Sequence, residues 1–416
     1  MRSTLFRIAL VALLLCPVGV FASDWPQFLG PNRNGAAPGE KLARTWPAGG
    51  PKVLWTAKLG PGFGGPCIQG GKVYILDRVR NAQDVLRCLD LVTGKEDWTL
   101  AYNAPGRLDH NGSRSTPAVD DKYVFIIGPF GHFHCVDKTT YKSVWQKHLL
   151  KDFNSRMHNW GVAQSPLLHK DWVIVAPLSR RGAGVIAVEK STGRIVWKSP
   201  AMGTMAYMSP RVTTIGGVEQ VLMASKSYTG GVDIRNGKIL WSYGGYRCSI
   251  PITGPTPLGD GRIFITGGYN AGSVMIKVQR VGEKFTVKEL FRLRKLGAQI
   301  HPPVFHQDHL YVQFNTKSKH DGLVCIDLDG KVKWKTNRSP NFDWGGIVFA
   351  DGMILIMDGM TGVLRMVQPD PKGYKELAQA PILGGRQIWG PMALADGKLV
   401  LRDQRQIKCL DVGAKE

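Results

Sequence analysis

Cations and aromatic rings carry the chemistry open to this sequence. Arg114, Arg181, Arg247 and Arg402 can each present a planar fork of N–H donors to a carboxylate, sulfate or phosphate. Trp160, Tyr207, Tyr269, Trp344 and Trp389 can stack on a sugar face or a planar ring, with Asn159 and His301 beside them. These residues are the expected ligand contacts, and the chemistry they point to is binding. The acids that could join them are few (Asp77, Asp84, Asp109, Asp343, Asp358 and Asp403) and form no recognisable ligand set, so no catalytic residue and no metal ligand is assigned. The sequence holds no phosphate-cradling Gly-rich loop followed by a helix, no zinc spacing of Cys or His, and no Gly-x-Ser-x-Gly turn. His306 and His309 lie three apart, but on a turn beside a strand, and read as exposed turn residues.

Positioning these side chains falls to a repeat. Apolar segments are short and separated by Gly and Asp-Gly turns, glycine reaches 50 residues, and helical periodicity is scarce. One unit recurs: a Pro- or Gly-led strand, a tight turn, a strongly apolar strand, a loop, a strand ending in Asp, a Thr-Gly-Lys-like turn, and a strand ending in Trp. Its second strand begins near Val73, Tyr123, Trp172, Gln220, Ile263, Leu310, Met353 and Leu399. Four strands per period predict an all-β, eight-bladed β-propeller of four-stranded antiparallel blades over residues 53–416. The closing Trp is Trp98, Trp145, Trp197, Trp241 and Trp334, with Phe291 and Leu377 as stand-ins. The last copy stops at its third strand, and Val53-Leu54-Trp55 supplies what is missing. The N-terminal strand is therefore expected to complete the last blade and remove the ring's open edge. Connections from fourth to first strand and from second to third strand share one face, and they carry all the expected contacts.

Residues 1–22 read as a cleaved signal peptide: Arg2 and Arg7 precede an apolar run too short to span a bilayer, and Ala22 ends it. Cys16 would mark a lipoprotein signal, but Leu15 stands where a small residue is required. The chain is thus expected to be periplasmic or secreted, with residues 23–52 an irregular cap on the ring. Net charge is +22, and loss of the leader removes Arg2 and Arg7 and no acid, leaving +20. Outside the cytoplasm such a field gathers acidic polysaccharide or another anionic envelope component before nucleic acid. Cys88, Cys135, Cys325 and Cys409 each occupy the same phrase (Arg-Cys-Leu-Asp, His-Cys-Val-Asp, Val-Cys-Ile-Asp, Lys-Cys-Leu-Asp), and are expected, with Cys67 and Cys248, to be mostly free buried fillers.

The phrase Asp90-Leu91-Val92-Thr93-Gly94-Lys95-Glu96-Asp97-Trp98, with its copies ending at Trp241 and Trp334, resembles the pyrroloquinoline-quinone (PQQ) repeat over roughly residues 53–412. The opening Asp24-Trp25-Pro26-Gln27-Phe28-Leu29-Gly30-Pro31-Asn32-Arg33-Asn34-Gly35 resembles exported propellers common in planctomycete-like bacteria. The resemblance implies the propeller and two kinds of function: quinoprotein dehydrogenases, which hold PQQ with Ca²⁺, and the non-catalytic propellers of outer-membrane protein assembly. The adjacent Cys-Cys pair of the alcohol dehydrogenases is absent from this sequence. The reading carried forward is a monomeric, non-catalytic binding or scaffold propeller with no cofactor. Its partner is an anionic polysaccharide, an envelope component or a protein, and not a specific nucleic acid. A PQQ- and Ca²⁺-dependent oxidoreductase of alcohols or sugars, and an outer-membrane assembly scaffold, are the alternatives.

Overall fold

The computed structural model describes residues 24–204 and 206–415; the leader at residues 1–22 lies outside the described residues. Among these the chain is all-β, and no helix is long and apolar enough to cross a membrane. The strands form eight sheets, each built on four antiparallel strands. Blade 1, for example, runs Cys67–Gln69, Lys72–Val79, Gln83–Asp90 and Glu96–Asn103. Blades 2 to 7 follow in chain order over residues 118–148, 167–198, 211–243, 256–293, 304–335 and 347–381. In blade 8, Ala393–Ala395, Lys398–Arg402 and Gln406–Asp411 are completed by Lys52–Lys58, which pairs antiparallel with the chain's last strand from Lys52↔Asp411 to Lys58↔Gln406. The eight-bladed propeller read from the repeat is the observed fold.

The repeat phrase explains how the blades lock. Asp90 accepts hydrogen bonds from the Val92 and Thr93 amides (3.1 and 2.9 Å) and from Thr93 Oγ1 (2.9 Å), which forms the turn and holds the carboxyl down at about 2. The turn exposes a carbonyl to the preceding blade. Trp55, Trp145, Trp197 and Trp334 each donate their indole N–H to such a carbonyl, at Leu91, Lys190, Ile234 and Asp370, over 2.8 to 2.9 Å. Gly94 and Gly193, both at positive φ, lie under these rings. A Cβ on Gly94 would come within 2.5 Å of Trp55, and one on Gly193 within 2.8 Å of Trp145. Phe291 covers Gly330 in the same way, as its stand-in role requires. Cys88, Cys135, Cys325 and Cys409 each sit across the ladder from a closing Trp, where a small side chain leaves room for the indole.

All six described cysteines are free and buried. Burial pushes their thiols up, to about 11 for Cys88 and Cys325 and about 12 for Cys409. Ellman's reagent is accordingly expected to modify none of the six within minutes in native buffer and all of them in denaturant. Rapid native modification would contradict this packing.

Residues 24–37 enter the central channel. The first strands of adjacent blades meet around the axis, Cys67–Gln69 lying against both Ala118–Val119 and Ala393–Ala395. Ala36–Ala37 adds a fifth, parallel strand on the inner side of Ile347–Ala350 in blade 7. Upstream, Trp25 bridges to Ile68 of blade 1, the Pro26 carbonyl accepts from Val119 N of blade 2 (2.8 Å), and Gln27 Oε1 accepts from Leu168 N of blade 3 (3.1 Å). Arg33, 3% exposed, donates to the carbonyls of Pro166 (2.7 Å) and Ser165 (3.3 Å). Past the channel, Glu40 caps the turn of blade 8 through the Asp396 and Gly397 amides.

Candidate functional site

On the opposite face the inter-blade loops enclose a cavity of about 490 Å³ at the channel mouth. Its wall is a belt of rings: Phe63 stacks on Trp389 (5.5 Å between centroids), Trp344 meets Trp389 edge-on (4.8 Å), and Trp160 lies between Tyr207 (5.3 Å) and Tyr269 (6.4 Å). His110 joins the two halves, within 6.3 Å of Trp160 and 5.7 Å of Trp389. Hydrogen bonds fix the polar edges. Trp389 Nε1 donates to Asp343 Oδ2 (2.8 Å), Trp344 Nε1 to the Asn315 carbonyl (3.1 Å), and the Trp160 amide to Tyr207 Oη (3.4 Å). His110 and Tyr269 reach the cavity from left-handed backbone, φ 51° and 55°, a conformation that costs about 1–3 kcal/mol per residue and that the loop packing must hold.

Two cations line the belt, Arg114 and Lys317. The Arg114 guanidinium lies 5.4 Å from the Phe63 ring and donates to the carbonyls of Gly112 (2.9 Å), Asp109 (2.7 Å) and His110. Of its five N–H groups, Nε–H and one on Nη1 have no partner among the described residues. Burial lowers its pKa to about 10, so it is cationic at neutral pH. Among the described residues no carboxylate lines the cavity. Asp343 stands behind the wall, bonded to Trp389, its carboxyl pushed up by burial. PQQ with Ca²⁺ needs oxygen ligands converging on the ion and a carboxylate base, and this lining does not fit that pair. No cluster of three or more His, Cys, Asp or Glu suited to a metal occurs among the described residues.

The structure brings Arg114, Trp160, Tyr207, Tyr269, His301, Trp344 and Trp389 together in this lining. Asn159, Arg181 and Arg247 are exposed outside it. Arg402 is 2% exposed and sits beneath the wall, donating to the carbonyls of Gly60 (2.6 Å) and Asp403 (3.0 Å) and so propping the loop that carries Phe63. Phe28, which lines the cavity from below, escaped the sequence reading because it belongs to no repeat. So did a second concavity of about 610 Å³ beside blades 5 and 6, bounded by Arg292, Arg294, Lys295, Lys319, Lys335 and Asp321. Lys319 ends the tight loop that presents Lys317 to the aromatic belt.

His301 borders the cavity with only 4% of its surface exposed, its Nε2–H donating to the Trp389 carbonyl at 3.1 Å, and burial depresses its pKa to about 4; burial does the same to His134 in blade 2. Both imidazoles are neutral when folded and take a proton near 6.5 when unfolded. Their contribution to stability is therefore complete above pH 6.5 and drains away as the pH falls to about 4, on the order of 3 kcal/mol for each. Urea unfolding between pH 7 and pH 4 is expected to show this loss, and His134→Asn to flatten part of it. An unchanged slope in the variant would contradict the assignment.

The fold has solved counterparts at low identity. BamB from Moraxella catarrhalis superposes with a TM-score of 0.59 at 14% identity, covering 86% of this chain and 99% of that one. The quinohemoprotein alcohol dehydrogenase from Comamonas testosteroni gives 0.62 at 14% identity, over 94% and 81%. The computationally designed Ika8 protein gives 0.55 at 10% identity, over 90% and 100%. At these identities the likeness is one of fold. No curated protein matches the sequence significantly. The family model described as outer membrane protein assembly factor BamB matches residues 82–336, more than half of the chain, and it is to this family of PQQ-like repeat propellers that the chain belongs.

Proposed function

We propose that this protein is a non-catalytic binding propeller acting outside the cytoplasm, and that the aromatic cavity on its loop face receives an acidic sugar. The carrying observation is the combination of ring faces with Arg114 and Lys317 and, among the described residues, no lining carboxylate. Rings of this kind stack on the C–H face of a sugar, while a partly buried guanidinium with unused N–H groups prefers an anion. The strong net positive charge and the leader read over residues 1–22 support an anionic polysaccharide met after export. Calorimetric titration with an oligogalacturonate and with its neutral methyl ester tests the reading. The acid is expected to bind saturably and more tightly than the ester. The preference should shrink as salt shortens the Debye length from about 10 Å at 0.1 M to about 3 Å at 1 M. Equal affinities, or binding of neither, would overturn it.

A second reading, a protein-binding scaffold of the outer envelope, is favoured by the family match. Its contacts would lie on the cationic concavity of blades 5 and 6 and on outer blade surfaces. Under this reading Arg294→Glu with Lys295→Glu would abolish co-purification of an envelope protein, and changes to the aromatic belt would not.

A further inference from the structure

The chain itself crosses the channel below the cavity. Phe28 lines the cavity from the channel side. Its segment is fixed there by the Pro26 and Gln27 contacts to blades 2 and 3 and by the Ala36–Ala37 pairing with blade 7. Arg33 lies 5.6 Å from the Phe28 ring and donates to the carbonyl of Ser165, a residue that also lines the cavity. Whatever enters from the loop face therefore meets Phe28 and its segment at the base of the cavity.

Two buried cations stand behind the lining on the same side. Arg33 and Arg211 are 3% and 4% exposed, and neither is ion-paired with a carboxylate among the described residues. Arg211 opens the first strand of blade 4, two residues after Ser209 in the cavity lining. Low-dielectric surroundings lengthen the reach of such unpaired charges, so their field extends up into the cavity.

We infer that the cavity is an end-recognition site: it takes the terminal, negatively charged residue of an acidic glycan chain and excludes internal residues. This rests on the acidic-sugar reading proposed above and adds to it the polarity and depth of binding. A terminal sugar presents one face to the belt and its carboxylate toward the floor, with the chain leaving through the mouth past Lys317. An internal residue, tethered at both ends, would have to enter as a hairpin, bringing two lengths of chain through one mouth into a cavity of about 490 Å³.

Counting binding sites on glycans of different length decides the matter. Equilibrium dialysis of the protein is carried out against galacturonate trimer, decamer and polymer at equal mass of sugar. Protein bound at saturation per unit mass should fall in inverse proportion to chain length, staying near one protein per chain. Capping one of the two chain ends of the decamer should abolish binding, while capping the other has little effect. Capacity per unit mass that does not change with length, or a decamer indifferent to caps at both ends, would overturn end recognition and leave the acidic-sugar reading standing. Absence of saturable binding at every length would overturn both.

Discussion

Arg114→Ala is expected to weaken binding of an acidic oligosaccharide by about tenfold to a hundredfold and to lower the thermal midpoint as well, since three backbone carbonyls lose their donor. Hydrogen bonds to charged groups contribute about 1.5–3 kcal/mol, and each 1.4 kcal/mol is a factor of ten in the dissociation constant. The guanidinium is fixed before ligand arrives, by three backbone carbonyls and by Phe63, so little ordering cost opposes its contact. Arg114→Lys keeps the charge and loses the fork. It should fall between the wild type and Arg114→Ala, because an ammonium cannot both hold the three carbonyls and reach the ligand. Titration of the variants reads both effects. Unaltered affinity in Arg114→Ala would remove this residue from the site.

Asp84→Ala is expected to destabilise the fold by about 3–5 kcal/mol, the usual cost of leaving one member of a buried ion pair alone. Arg78 Nη1 and Asp84 Oδ1 are 2.7 Å apart and both side chains are fully buried. Burial raises the carboxyl pKa even against the neighbouring guanidinium. Arg78 also donates to the carbonyls of Ala104 (2.9 Å) and Gly106 (2.6 Å) and packs 4.8 Å from the Phe130 ring, which anchors the start of the loop bearing His110 and Arg114. The double change Arg78→Met with Asp84→Leu should recover most of the stability, since it removes both charges, and should not restore ligand affinity, since the loop anchor is gone. A urea midpoint unchanged in Asp84→Ala would contradict this account.

Much of the architecture was legible because it repeats. The second strands fall where the apolar segments placed them, at Lys72–Val79, Tyr123–Ile127 and Trp172–Val175 among others, since each is a buried run flanked by turn residues. The closing strand at Lys52–Lys58 followed from counting: a repeat lacking its last member at one end has it at the other. The path of residues 24–37 was not legible. A segment without periodicity gives no sign of which surface it covers, and Phe28 reaches the cavity through contacts to four different blades. Of the candidate contacts, the aromatic ones named from their loops gather at one cavity. Cations were harder. Arg114 stands on a fourth-to-first-strand connection and Arg181 and Arg402 on second-to-third-strand ones; the first lines the cavity, held by carbonyls of its own loop, the second is exposed, and the third is buried under a wall on the Gly60 carbonyl. Arg294 and Lys295 gain their company, Lys319 and Lys335, only when blades 5 and 6 stand side by side.

Hydrogen–deuterium exchange with and without a saturating acidic oligosaccharide locates the ligand on the molecule. Protection is expected in the loops at residues 104–117, 199–210, 268–271 and 382–392, which bring Arg114, Tyr207, Tyr269 and Trp389 to one cavity, with the turns on the opposite face unchanged. Protection confined to those opposite turns or to the outer blade edges would contradict the claim that this cavity is where the protein binds.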